Sequence, residues 1–149
     1  GGIMQAGHEG AGPERSFGVN IRLPWEQSAN PIIREDKKLV TFKYFFTRKL
    51  IFIRHSDAIA LFPGGFGTLD ELFEALTLVQ TGKIAAFPVV LMGTDYWKPL
   101  CDFMRHTVAA RGMVSPADLD LLTVTDSPDE AIAAIQRGVA ALPAVTVWA

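Results

Sequence analysis

The stretch Asp57-Ala58-Ile59-Ala60-Leu61-Phe62-Pro63-Gly64-Gly65-Phe66-Gly67-Thr68-Leu69-Asp70-Glu71 decides the fold. An apolar run from Asp57 to Phe62 reads as a buried strand, and Pro63 to Gly67 as a glycine-packed turn. Thr68 to Thr81 then opens the best helical pattern in the chain. At about 100° per residue, Leu69, Leu72, Phe73, Leu76 and Val79 share one face, whereas Glu71, Glu74, Thr77 and Thr81 share the other. The same alternation extends in both directions. Upstream, residues 3–12 read as a helix, Ser16 to Leu23 and Leu39 to Phe42 as strands, Pro24 and Asn30-Pro31 as loop breakers, and Lys43 to Ser56 as a helix. Downstream, Pro88 to Met92 reads as a buried strand, Tyr96 to Arg111 as a helix closed by Gly112, and Leu121 to Thr125 as a short strand. Ser127-Pro128-Asp129-Glu130 supplies an N-cap, a first-turn proline and an acid three residues after the cap, starting a helix that runs to about Gly138. Nearly all-apolar strands, each followed by a helix, imply α/β architecture: a Rossmann-like, doubly wound parallel sheet with helices on both faces. In such sheets ligands bind at the carboxyl ends of the strands, where Phe62 to Glu71 falls.

Composition narrows the functions this scaffold can carry. The 149 residues are 49% hydrophobic and 20% charged, with a net charge of −2. One domain over 1–149 is expected, and no global basic field serves nucleic acid. Cys101 stands alone, which excludes an internal disulfide and a multi-cysteine zinc site and fits a reducing compartment. His8, His55 and His106 lack metal-ligand spacing, so no metal is expected. Contiguous His55-Ser56-Asp57 contains triad residue types that neighbours in sequence do not assemble. No apolar run approaches the roughly 20 residues of a membrane span, and no signal peptide is evident. The expectation is a soluble cytoplasmic protein.

Three constellations stand out. Gly64, Gly65 and Gly67, between a strand and a helix, offer backbone N–H groups and the positive helix end to an anion, with Phe66 and Thr68 completing the loop. The spacing matches neither the dinucleotide fingerprint nor the Lys-bearing triphosphate loop, so a phosphate site and a plain tight turn both fit. Glu71 completes Thr68-x-x-Glu71, which is also a capping box; Glu74 stands one turn on, so a surface stripe and a polar-substrate pocket both account for the pair. Lys43, Arg48, Lys49, Arg54 and His55 lie among Phe42, Tyr44, Phe45, Phe46, Leu50, Ile51, Phe52 and Ile53, with no acid. So aromatic a helix is expected to be largely buried as core rather than to stack on nucleic acid, with Arg48 or Lys49 meeting a carboxylate, a bound phosphate or, by snorkelling, solvent.

Pro63-Gly64-Gly65-Phe66-Gly67-Thr68-Leu69-Asp70-Glu71 resembles the P-G-G-x-G-T-x-x-E motif of the LONELY GUY family, phosphoribohydrolases of cytokinin biosynthesis also long described as lysine decarboxylases. Glu74, Thr77 and Gln80 fit its continuation, and Arg48-Lys49 stands where that family has an R-K pair. Phe17 to Gln27 looks like the bacterial branch, and the similarity covers roughly residues 1–100. Gly2-Ile3-Met4 resembles the end of an upstream glycine segment, so the chain is expected to be the C-terminal larger part of a longer domain. The resemblance implies hydrolysis of the N-glycosidic bond of a nucleoside 5'-monophosphate, AMP or a cytokinin riboside 5'-monophosphate, releasing base and ribose 5-phosphate. It implies Glu71 and Arg48 as catalytic residues, Gly64 to Thr68 as the phosphate loop, Lys49 and Glu74 as further substrate- or phosphate-binding residues, with Glu74 supporting Glu71, no cofactor, and a homodimer or larger homo-oligomer. Decarboxylation would need a pyridoxal-phosphate lysine, and nothing around Lys49 or Lys83 suggests one. A cofactor-carrier or other nucleotide-binding module with the same loop and no catalysis is the alternative.

Overall fold

The structure, a computed structural model, describes residues 2–21, 31–34 and 36–142. It forms two compact units, Gly1–His55 and Ser56–Ala149.

In the first unit, helix α1 (Gly2–Ala11) and a short 3-10 turn (Pro13–Arg15) lead into β1 (Gly18–Ile21), β2 (Leu39–Phe42) and helix α2 (Phe45–Arg54). The two strands pair in parallel, Gly18 opposite Leu39 through Ile21 opposite Phe42. Gly18 is needed for packing, because a Cβ there would lie 2.9 Å from the Leu39 Cδ1 and 3.2 Å from Ile33. Lys38 ties the entry to β2: its Nζ donates to the Pro13 carbonyl at 2.5 Å and approaches the Asp36 carboxylate at 3.4 Å. The Lys38 backbone N–H, which donates to the Asp36 carboxylate, is the main reason that this carboxyl lies below its ordinary range. Pro24 and most of the loop expected up to Pro31 lie outside the described residues.

One expectation fails here. Helix α2 buries only Ile53, whereas Tyr44, Phe45, Phe46, Leu50 and Phe52 are exposed, Phe46 at 70%. The physical reason is that aromatic content does not decide burial; a ten-residue helix buries only the side facing a neighbour. The aromatics satisfy one another and the nearby cations instead. Tyr44 stacks on Phe46 with centroids 5.7 Å apart, Lys43 Nζ lies 5.3 Å from the Tyr44 ring, and the Arg48 guanidinium lies 5.6 Å from the Phe45 ring.

The second unit is built around β3 (Ile59–Leu61), β4 (Val89–Met92) and β5 (Leu122–Thr125), parallel in the order β3-β4-β5. Helices α3 (Phe66–Gln80), α4 (Thr94–Phe103) and α6 (Pro128–Ala140) each follow one strand. Val89, Val90 and Leu91 point alternately to opposite faces of the sheet, and all three are buried, so both faces of β4 are covered. Val90 packs against Ala131 and Ala134 of α6. A Cβ on Gly138 would fall 2.1 Å from the Pro88 Cγ, so this glycine lets α6 cross close to the start of β4.

Helix α4 continues through a wider turn (Met104–Val108) and a 3-10 turn (Ala109–Arg111) to Gly112, whose φ is +71°. The sequence reading missed α5 (Pro116–Leu119), although Ser115 and Asp118 form a complete capping box there. Ser127 caps α6 as expected, its Oγ accepting from the Glu130 N–H at 3.3 Å. The Glu130 carboxylate does not close the box; it accepts from the Thr125 hydroxyl at 2.5 Å, and that hydroxyl accepts from the Ser127 N–H at 3.0 Å.

Gly138→Ala is expected to destabilise the protein by about 1–3 kcal/mol, the range for overpacking against a neighbour that cannot yield. A proline ring meets the new methyl here. Urea unfolding with an unchanged midpoint would show that the crossing relaxes freely.

Candidate functional site

The carboxyl ends of β3, β4 and β5 come together in the second unit, and three backbone features build the site there. Pro63-Gly64-Gly65 leaves β3 and turns into α3. Gly93 leaves β4 with φ +101°, a left-handed conformation suited to glycine, and a Cβ there would lie 3.1 Å from the Pro63 ring. Asp126 leaves β5: its carboxylate accepts from the Thr94 N–H at 2.8 Å and from the Thr94 hydroxyl. Those two bonds, the hydroxyl first, hold the Asp126 carboxyl below its ordinary range. The Gly93 N–H also donates to the Thr125 carbonyl at 3.2 Å.

Helix α3 begins at Phe66, two residues before the expected start, so Gly67 and Thr68 lie in its first turn. Gly65 is the N-cap residue, and no side chain caps the helix. The Thr68 and Leu69 N–H groups reach the Gly65 carbonyl at 3.0 and 3.2 Å. Those of Phe66 and Gly67 have no acceptor within the helix, as for the first donors of any helix. Phe66 is 92% exposed beside them.

The three loop glycines are glycines for different reasons. A Cβ on Gly64 would meet Thr68 Oγ1 at 2.1 Å and Thr68 Cβ at 2.9 Å, so the fold itself demands glycine. Around Gly65 and Gly67 a Cβ would meet nothing within 4 Å, and neither residue has positive φ. Their lack of a side chain leaves clear space at the open end of α3.

The start of α3 also removes one of the two accounts of Glu71. A capping box needs Thr68 as N-cap and Glu71 three residues on; with Gly65 as N-cap, Glu71 lies beyond the first turn and has no capping role. Glu71 and Glu74 are half-buried, and Oε2 of each is withdrawn from solvent. Residues three apart on a helix are neighbours, so two carboxylates are partly desolvated side by side. Leu72 and Ala75 form the fully buried part of this helix, while Phe73, expected on the core face, is exposed. Thr77 and Thr81 donate to the helix carbonyls of Phe73 and Thr77 at 2.6 and 2.7 Å, and Gln80 donates to Asp118 at 2.9 Å, so these three serve α3 and its junction with α5.

Gly64 to Thr68, Glu71 and Glu74 thus belong to the second unit, and Arg48 and Lys49, both half-buried, to α2 of the first. Sequence reasoning missed Tyr96, whose hydroxyl donates to the Gly64 carbonyl at 2.5 Å. It also missed a groove of about 260 Å³ along α4, lined in part by Lys98, Cys101, Asp102 and Arg105. Burial raises the Cys101 thiol there above its usual range. Among the described residues no group of three or more His, Cys, Asp or Glu is placed to hold a metal ion, and no helix is long and apolar enough to cross a membrane.

Parallel strands, helices over both sheet faces and a glycine turn opening a helix at the strand ends define a Rossmann-like α/β protein. Residues 1–135 match the family described as "Possible lysine decarboxylase", and the chain belongs to that family. It is 35% identical over 89 residues to the cytokinin riboside 5'-monophosphate phosphoribohydrolase of Rhodococcoides fascians, covering 60% of this chain and 44% of that protein. It is 34% identical over 91 residues to a protein of the same name from Arabidopsis thaliana, covering 60% of this chain and 41% of the relative. In both comparisons the matched part spans less than half of the relative's length.

Gly64→Ala is expected to lower the melting temperature, because the new methyl overlaps Thr68, whereas Gly65→Ala and Gly67→Ala leave it unchanged. Differential scanning calorimetry checks the contrast. Equal losses at all three positions would make every glycine a folding residue.

Proposed function

We propose that this chain contributes the glycine loop and the catalytic acid of a nucleoside 5'-monophosphate phosphoribohydrolase. The substrate is AMP or a cytokinin riboside 5'-monophosphate, and the products are the free base and ribose 5-phosphate. The observation that carries this is Glu71: it stands on the helix that opens from the glycine loop, has no capping role, and has one oxygen withdrawn from water. The activity for which the relatives are named supports the same chemistry.

In this proposal the 5'-phosphate sits at the Gly65 to Gly67 N–H groups, where the helix end favours an anion. Fixing the phosphate fixes the sugar, which lowers the entropic part of the barrier. The C1'–N bond then breaks with its electron pair leaving on the base, and the sugar passes through an oxocarbenium-like state. Glu71 stabilises that positive charge and orients the water that attacks C1'. The proton released from water ends on the base. Glu74 is the supporting carboxylate, Gly64 and Thr68 shape the loop, Phe66 borders it, and Arg48 and Lys49 are the cationic groups serving the anionic substrate. No cofactor enters this scheme.

Helix α2 supports a further element of the proposal. Tyr44, Phe45, Phe46, Leu50 and Phe52, on and beside α2, are exposed large apolar side chains, and apolar surface of this kind marks association. We assign it to a homodimer, or a larger assembly of such dimers, acting in the cytoplasm. Multi-angle light scattering of the protein bearing this chain is expected to report a dimer or a multiple of it, and Phe46→Asp to shift it toward monomer. A wild-type monomer would remove this element.

The catalytic role is tested by Glu71→Gln in the same protein. Turnover of AMP and of its N6-isopentenyl analogue is expected to fall at least about a hundredfold, the scale of a positioned acid or base, while ribose 5-phosphate still binds. Unchanged turnover would overturn the role of Glu71. Tight nucleotide binding by the wild type without any base release would favour a carrier module.

A further inference from the structure

The peptide joining Gly64 and Gly65 is the softest point of the loop. Neither flanking residue carries a Cβ, so the plane can rotate at little steric cost. A trans peptide aims its carbonyl and its N–H in opposite directions, and the chain has no cis peptide among its described residues. The orientation of the Gly64 carbonyl therefore decides which way the Gly65 N–H faces. Turned one way, the loop offers a donor to an anion; turned the other, it offers a carbonyl oxygen, which repels one.

The Tyr96 hydroxyl holds that carbonyl, donating to the Gly64 oxygen at 2.5 Å. Its own position is well determined. Both Tyr96 and Trp97 donate their backbone N–H to the Gly93 carbonyl at 3.1 Å. Trp97 is fully buried, its indole Nε1 donates to the Met92 carbonyl at 2.9 Å, and its ring meets the Tyr96 ring edge to face with centroids 4.9 Å apart. The first residue of α4, Thr94, is bound through its N–H and its hydroxyl to Asp126. The end of β5 thus fixes the start of α4, and α4 fixes the phenol over the glycine turn.

We infer that Tyr96 is a positioning residue for anion recognition: its hydroxyl locks the Gly64–Gly65 peptide with the Gly65 N–H toward the phosphate, and by bonding the carbonyl it strengthens that N–H as a donor. It rests on the phosphate loop proposed above and adds to it a residue on a different helix. Tyr96 does not touch the reacting bond. It acts on the phosphate end of the ligand alone, which separates it from a residue that merely supports the fold.

Tyr96→Phe removes the hydroxyl and keeps the ring against Trp97. In the protein bearing this chain, calorimetric titration with ribose 5-phosphate is expected to show binding about three- to tenfold weaker than wild type, the value of one hydrogen bond. Ribose and adenosine should bind as they do to wild type, the melting temperature should not move, and KM for AMP should rise with little change in kcat. Equal ribose 5-phosphate affinity in variant and wild type would overturn the inference, as would a parallel loss for adenosine and AMP, which marks a general structural effect. If the wild type itself fails to bind ribose 5-phosphate, the phosphate loop falls, and the inference with it.

Discussion

The second unit depends on the burial of β4 from both faces and its pairing along both edges. Val89, Val90 and Leu91 are sealed between layers, with β3 on one side and β5 on the other. A strand in that position carries no ligand-binding side chain of its own, because a buried polar group without a partner is costly. Chemistry is displaced to the points where chains leave the sheet. There Gly93 approaches Pro63 and Asp126 binds Thr94, at the start of loops or helices that the sheet has already oriented. The geometry of the glycine turn follows from the sheet, through Gly93 against Pro63 and through Tyr96 against Gly64.

Much of this was legible in the sequence, and the legible parts share a physical cause. Local signals suffice where local forces decide: β2 runs over Leu39–Phe42 as expected, Ser127 caps α6, and Gly112 ends the α4 segment. Helix α3 starts two residues before the Thr68 that the sequence offers as its beginning, and only the three-dimensional path of Gly64-Gly65 shows that the helix has already begun. That shift matters more than its size, since it frees Glu71 from a capping role. Tyr96 lay beyond sequence reasoning altogether: its contact spans 32 positions, and nothing about an isolated tyrosine announces a carbonyl partner.

The aromatic helix marks the other limit. Composition tells how many phenyl rings a helix carries, not which of them the fold will bury. In α2 the rings stack on each other and take the charges of Lys43 and Arg48 on their faces, while the apolar surface stays open. Family membership, by contrast, was carried by nine residues from Pro63 to Glu71, because there the backbone path, the helix end and the acid are all encoded within one short segment.

The exposed apolar side chains of α2 have a thermal consequence. Burial of apolar surface is driven almost wholly by entropy near 25 °C and weakens on cooling. The assembly proposed to form through these side chains is therefore expected to be tighter in warm solution than in cold. Refrigeration, usually chosen to preserve a protein, would favour its dissociation.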